Sequence, residues 1–363
     1  MEHTLTDNIL NKKELNRDDI KTLLLLNDSE DCEKLFNASS EIKKTFIGNK
    51  VHFRGLIEYS NICSKDCLYC GIRCGNKSKQ TYELSDEEVM EAVRYAMDSR
   101  FGSVVLQSGE ISSKPHTKRI SRLIREIKHI SNNQLGITLS LGEQTEDTYR
   151  EWFEAGAHRY LLRIEVSNPA LYRRLHPNNK NHDYQYRLDC LKLIKKIGYQ
   201  TGTGIMIGLP YQTIDDLADD LLFIRNFDID MVGMGPYIEH PDTPLFEYRH
   251  LLRPKKERFE LSIKMIAVLR ILMKDINIAS TTALQALDKE GRERGLRAGA
   301  NIIMPNITPV KYREGYKLYE NKPGTDETPQ ETLKKLVLQI EKAGDVVAFD
   351  EWGDSRHFKG RNN

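Results

Sequence analysis

From about residue 49, short runs rich in Val, Ile and Leu alternate with stretches whose apolar residues recur every three or four positions. Eight such runs, at 51–59, 103–107, 136–141, 159–163, 202–207, 231–235, 276–281 and 300–304, show little apolar–polar alternation. Strands of a parallel sheet buried on both faces read this way. The stretches between them start like helices. Ser85 followed by Glu88 is a capping box, after which Val89, Ala92, Val93, Ala96 and Met97 share one helical face. Thr213 with Asp216 opens another, striped by Ile214, Leu217, Leu221 and Ile224, and 258–272 is a third, strongly apolar one.

Eight βα units without a long linker rich in Pro, Gly or Ser predict an α/β fold, a closed (β/α)8 TIM barrel. An open doubly wound sheet is the alternative, and the count of eight favours the barrel. The 363 residues divide into an N-terminal helical extension at 1–48, the barrel at 49–320 and a C-terminal helical and loop extension at 321–363. The last of these is expected to carry a helix near 331–343 and then a loose tail.

Composition narrows the partners. Lys and Arg number 54 against 53 Asp and Glu, a net charge of +1, so no global field draws the chain to nucleic acid or an anionic membrane. No apolar run is long enough for a transmembrane helix, and the polar first residues lack the order of a signal peptide. Of six cysteines, Cys63, Cys67, Cys70 and Cys74 fall within one short segment. That clustering in a large chain points to metal binding in a reducing compartment, and a cytoplasmic location is expected.

In a barrel, catalytic groups belong where strands end and loops begin. The predicted strand ends are rich in polar residues and glycine: Ser60-Asn61-Ile62-Cys63, Gln107-Ser108-Gly109-Glu110, Ser140-Leu141-Gly142-Glu143, Arg163-Ile164-Glu165 and Thr281-Thr282 among them. Cys63-x-x-x-Cys67-x-x-Cys70 follows the first strand. Thiolates suit iron–sulfur clusters and zinc. Three of them hold three corners of a cubane and leave a fourth iron open to a small molecule. Cys74 could close the cluster or serve zinc, but no second Cys or His pair supports zinc, and the spacing differs from that of closed ferredoxin-type clusters. Cys74 is read as a bystander, and Cys32 and Cys190 as small core residues.

The run from Cys63 to Cys70, with Tyr69 at the aromatic position before the last cysteine, resembles the signature of radical S-adenosylmethionine (SAM) enzymes. Ser108-Gly109-Glu110 is similar to the family's glycine-rich motif for the methionine amino group, and 204–210 to its fifth-strand segment. The resemblance implies one [4Fe–4S] cluster on Cys63, Cys67 and Cys70, SAM chelating the open iron, and reductive cleavage to a 5′-deoxyadenosyl radical inside the barrel.

Within that family the chain is similar, from about residue 42 to 319, to the branch that matures [FeFe]-hydrogenases. The similarity implies that Tyr69, Ser108, Gly109, Glu110, Ser140, Glu165 and Arg187 hold SAM, with Glu165 at the ribose and Arg187 forked on the methionine carboxylate. It implies that Arg54, Gln107, Thr138, Arg163, Thr281, Thr282, Tyr316 and Tyr319 line a cavity for an organometallic substrate, iron carrying CO and cyanide on a cysteine scaffold. Other hydrogenase maturases and an electron donor such as ferredoxin or flavodoxin are the implied partners. Taken without the resemblance, Glu165 and Arg187 could be halves of structural ion pairs, Thr281-Thr282 a helix cap, and Tyr316 and Tyr319 one packed helix face. Two departures stand out. That branch reads Arg-His-Glu-Thr where this chain has Arg163-Ile164-Glu165-Val166, and no cysteine lies at 322–343 for an accessory cluster. Rival readings are a radical SAM enzyme with a small amino-acid-like substrate, as in methylornithine synthase or biotin synthase, and a non-catalytic scaffold that carries an iron species.

Overall fold

The computed structural model describes residues 4–362. Eight parallel strands close on themselves: β1 (Lys50–Ser60), β2 (Ser103–Ser108), β3 (Gly136–Ser140), β4 (Arg159–Leu161), β5 (Gln200–Thr203), β6 (Met231–Pro236), β7 (Asn277–Ser280) and β8 (Ile302–Ile303). Each pairs with the next, and β8 returns to β1 through His52↔Ile302 and Phe53↔Ile303. The fold is thus the closed barrel, not the open sheet. Met206–Ile207 prolongs the line of β5 and pairs with the end of β6.

On β1, Val51, Phe53, Ile57 and Tyr59 are buried against the surrounding layer. Arg54 and Glu58 alternate with them and face the axis, Arg54 reaching Met231 Sδ of β6 at 3.1 Å. The helix Asp86–Asp98 starts at its predicted capping box, with Ser85 N–H donating to Glu88 at 2.9 Å and Glu88 N–H to the Ser85 hydroxyl at 3.2 Å. It buries Val89, Met90, Ala92, Val93 and Ala96 against the barrel, and each large side chain so buried contributes about 1.5–3 kcal/mol. Thr213 and Asp216 cap Ile214–Phe227 in the same way.

The first residues form helices Leu5–Leu10, Arg17–Leu24 and Ser29–Phe46, and the last two pack on Lys255–Leu272. The C-terminus departs from expectation. After helix Pro329–Lys342 the tail is not loose. Val346–Val347 (β9) pairs with the start of β1. The next residues seal the N-terminal end of the barrel. Gly353 O accepts from Arg54 at 3.1 Å and Asn277 at 2.8 Å. Arg159 donates to Trp352 O at 2.9 Å and to Asp354 at 2.6 Å. Helix Arg356–Asn362 then docks through His357, which bonds Asp275 at 3.0 Å and Asp228 at 2.5 Å. The barrel therefore has a floor at its N-terminal end.

Candidate active site

The loop carrying the cysteines begins three residues beyond β1 and is stitched to neighbouring strand ends by its own backbone. Ser64 N–H and Oγ both donate to Glu110 O at 2.8 Å, beyond the end of β2. Leu68 N–H donates to Leu175 O at 2.9 Å, and Gly71 N–H to Leu318 O at 3.0 Å. Cys63 Sγ accepts two backbone N–H groups, from Lys65 at 3.4 Å and Glu110 at 3.3 Å. Gly109 permits this approach: a Cβ there would lie 2.3 Å from Ile62 O and 2.8 Å from Cys63 Cβ.

Cys63, Cys67 and Cys70 are free thiols, none in a disulfide. Burial pushes all three above their ordinary pKa, Cys70 to about 12, and the charge of the neighbouring cysteines adds to the rise at Cys67 and Cys70. Three half-buried thiols that resist ionisation together are poised for a cation, since metal binding displaces the protons and yields thiolates. Among the described residues no three His, Cys, Asp or Glu side chains group closely enough to share a single metal ion. A cubane makes a different demand, one sulfur on each of three irons. Cys74 is exposed, its N–H turned to Lys65 O at 2.9 Å, and Cys190 is buried.

Beside the cysteines lies a buried, charge-balanced cluster from four separate segments. Lys65 meets Glu143 at 2.5 Å and Glu110 at 3.0 Å, and Arg187 meets the same carboxylates at 2.7 and 3.2 Å. Burial works against the charge on Arg187 and Lys65, but Glu110 and Glu143 outweigh it and hold both pKa values up. Arg187 also donates to Arg163 O at 2.8 Å, which ties helix Tyr184–Ile197 to the end of β4. Tyr69 packs edge-to-face on His176 with centroids 5.4 Å apart, its hydroxyl 3.4 Å from Nε2.

Arg163 and Glu165 form a two-pronged pair, 2.9 Å at each prong. Glu165 has φ +66°, left-handed for a residue with a side chain, a conformation that costs about 1–3 kcal/mol and gathers at functional sites. Two bonds enforce it: Glu165 N–H to Gly204 O at 2.9 Å and Met206 N–H to Glu165 O at 3.0 Å. Gly204 is required because a Cβ would meet the backbone carbonyl of Gly233 at 2.3 Å. The departures Ile164 and Val166 are 1% and 0% exposed. Ile164 joins the main core, and Val166 packs with Tyr172, Leu175, Leu209 and Tyr237. Both face apolar surroundings, which accounts for their chemistry.

Deeper in the barrel, Gln107 donates to the Tyr316 hydroxyl at 3.3 Å, and Asn306 donates to Glu58 at 3.0 Å. Lys322 bonds Glu58 and Tyr316 O. Tyr316 ends the short helix Glu314–Tyr316 while Tyr319 lies beyond it, so the two do not share a helix face. Thr281 stands at the cap of Thr282–Leu287 but makes no side-chain cap bond, and its hydroxyl turns to Met234 O at 3.3 Å. Thr282 accepts from Arg292 at 3.2 Å. Ser140 ends β3 half-buried, and the Ser108 hydroxyl donates to Gly109 O at 2.6 Å. Thr138 accepts from Arg159 at 2.9 Å, and with Arg54 it belongs to the floor end of the interior. The structure thus gathers the cysteines, Tyr69, Ser108, Gly109, Glu110, Glu165 and Arg187 at the rim and sets Arg54 and Thr138 far below. Lys65, Glu58 and Lys322 are participants to which sequence reasoning gave no role, and Glu143 was marked only as part of a strand end.

Residues 57–224 match the family model described as the radical SAM superfamily. The chain is 44% identical over 352 residues to the [FeFe] hydrogenase maturase subunit HydE of Thermotoga maritima, covering 96% of this chain and 97% of that protein. This chain belongs to the radical SAM superfamily. It is a radical SAM enzyme of the HydE-like kind. A 3-methylornithine synthase of Methanosarcina barkeri is 27% identical over 94% of this chain and 93% of its own length. A crystal structure of methylornithine synthase superposes with a TM-score of 0.80 at 26% identity, covering 96% of this chain and 98% of that one. The hydrogenase maturase HydG shares the fold, with a TM-score of 0.76 at 19% identity over 94% of this chain and 75% of that one. Radical SAM membership implies a [4Fe–4S] cluster and SAM. Three half-buried free thiols, with N–H donors aimed at one sulfur, fit such a cluster. No helix among the described residues is long and apolar enough to cross a membrane.

Proposed function

We propose that Cys63, Cys67 and Cys70 hold the [4Fe–4S] cluster through three sulfurs, and that this enzyme acts in assembly of the diiron site of an [FeFe]-hydrogenase on an iron–carbonyl–cyanide–cysteine substrate. When bound, the cluster supplies the electron that divides SAM into methionine and a 5′-deoxyadenosyl radical. The observation that carries the reading is the rim itself, where a cysteine loop, the Ser108-Gly109-Glu110 turn and the strained Glu165 converge over the open end of a barrel whose other end is closed. The hydrogenase role rests on the 44% likeness to HydE.

The residues divide the work. The two N–H bonds on Cys63 stabilise its thiolate and hold the loop against the end of β2. Ser108, Gly109 and Glu110 present carbonyls and a carboxylate to the methionine ammonium. Arg187 can turn one face of its fork from Glu110 to the methionine carboxylate, because Lys65 remains to balance both glutamates. Glu165 receives the ribose hydroxyls, oriented by Arg163. Ser140 and Tyr69 flank the same ligand. Gln107, Thr281, Thr282, Tyr316 and Tyr319 face the substrate below, with Arg54 and Thr138 deeper still. The plugged floor keeps bulk water from the radical. Partner maturases would receive the product, and a ferredoxin or flavodoxin would deliver the electron.

The test is anaerobic. The chain is reconstituted with iron and sulfide, reduced and given SAM, and 5′-deoxyadenosine is quantified with and without the synthon. Synthon-dependent diversion of the adenosyl group into an adduct is expected. Deoxyadenosine that forms but does not respond to the synthon would keep the superfamily chemistry and remove the maturase role, and a small amino-acid substrate, in the manner of methylornithine synthase, would then be sought.

A further inference from the structure

A second cavity, of about 360 Å³, opens beside the barrel between Thr282–Leu287, Gly291–Arg297 and Pro329–Lys342. Its inner wall includes Leu56, Met304 and Asn306, which lie on or beside β1 and β8. It therefore borders the same interior wall as Thr282.

Two charged side chains in this cavity lack what burial demands. Arg292 is 8% exposed and Glu293 5% exposed. The only hydrogen bond of the Arg292 guanidinium among the described residues is Nη2 to Thr282 Oγ1 at 3.2 Å, and Nε has no partner. Glu293 Oε2 is likewise buried without a partner. The two do not pair with each other. Burial pulls the Arg292 pKa down to about 10, against the opposing charges of Tyr319, Glu327 and Glu293. The other buried or bridging cations of this cavity have their anions, Lys322 on Glu58 and Lys335 on Glu327. Buried charges are ordinarily paired and fully hydrogen-bonded. One unpaired cation and one unpaired anion in the same enclosure ask for a ligand carrying both complements.

We propose that Arg292 and Glu293 form a site for a small α-amino acid, Arg292 taking the α-carboxylate and Glu293 the α-ammonium, with the side chain directed past Thr282 toward the barrel interior. The α-amino-acid class follows from the two charges. The choice of cysteine as its member rests on the proposed maturase role, whose substrate carries a cysteine scaffold. The cavity then grips the scaffold's backbone while the metal-bearing end faces the adenosyl radical.

The test is anaerobic titration calorimetry on the reconstituted, unreduced full chain, with SAM present to occupy the cluster's open iron. Three probes are compared: L-cysteine, cysteamine without the carboxylate, and 3-mercaptopropionate without the ammonium. L-cysteine is expected to bind at least about tenfold more tightly than either truncated probe, the loss of one charged hydrogen-bonding group. Arg292→Gln is expected to erase discrimination against cysteamine, and Glu293→Gln discrimination against 3-mercaptopropionate. The wild-type series decides even where a variant folds poorly. Equal binding of the three probes, no binding of L-cysteine, or unchanged L-cysteine affinity in both folded variants overturns the site. If the series behaves as expected while the synthon leaves deoxyadenosine unaffected, the amino-acid site stands and the maturase reading alone falls.

Discussion

The two ends of this barrel use the same kinds of residue to opposite purpose. At the floor, Arg159 and Arg54 are buried and bound to fixed backbone carbonyls of Trp352 and Gly353, with Asp354 as counter-charge. At the rim, Arg187 and Lys65 are bound to the side-chain carboxylates of Glu110 and Glu143, each cation shared between two acids. Floor contacts cannot be exchanged without displacing the chain that makes them. Rim contacts can be exchanged one prong at a time, because each carboxylate keeps a second partner. Rigid closure at one end is thus set against an exchangeable network at the other.

The comparison can be broken at the rim first. Cys67→Ala is expected to abolish the visible absorbance of the reconstituted cluster and reduce deoxyadenosine formation to background. Arg187→Met leaves Glu110 and Glu143 with Lys65 alone. It should cost about 10–100-fold in SAM cleavage, the range for removing an outer support of a metal site, read as a raised KM for SAM. The floor behaves otherwise. Asp354→Asn strips Arg159 of its anion and should lower stability by about 3 kcal/mol, in the range for breaking a buried pair. Deoxyadenosine formed per folded, cluster-loaded molecule should be unchanged. A denaturant melt beside the activity assay separates the two, and an equal fall in both would erase the distinction between the ends.

The smallest expected effect is one of pH. His357 is raised to about 9, chiefly by its bond to Asp275 and then, against some burial, by Asp228. A histidine raised above its free value near 6.5 stabilises the docked state fully below that pH and loses the contribution as pH rises through about 9. Hydrogen exchange in Arg356–Asn362 should therefore quicken between pH 7 and 9.5 beyond the intrinsic rate, and His357→Gln should remove the extra dependence.

Much of this was legible in the sequence. All eight strands stood out because strands buried on both faces are nearly continuous apolar runs, and the capping boxes at Ser85 and Thr213 are local signals. Boundaries slipped where the interior turns polar. The fourth strand was expected to reach Arg163, yet its regular ladder stops at Leu161 and resumes only as an isolated parallel bridge between Glu165 and Ile205, where Glu165 turns left-handed. The cysteine loop was legible because its spacing is itself the chemistry. The roles of Lys65, Glu58 and Lys322 were not, because partners such as Glu58 and Lys322, 264 positions apart, meet only through barrel closure. The tail looked loose for the same reason. Its polar residues are anchored by buried arginines whose distant partners no local pattern announces.

The central claim is that the rim cysteines, and only those three, make this end reactive. The most direct measurement is 5′-deoxyadenosine released under reduction by wild type, Cys74→Ser and Cys70→Ala, each reconstituted identically and normalised to protein. Release from wild type and Cys74→Ser, with none from Cys70→Ala, is the predicted result. Release from Cys70→Ala, or silence from Cys74→Ser, would contradict it.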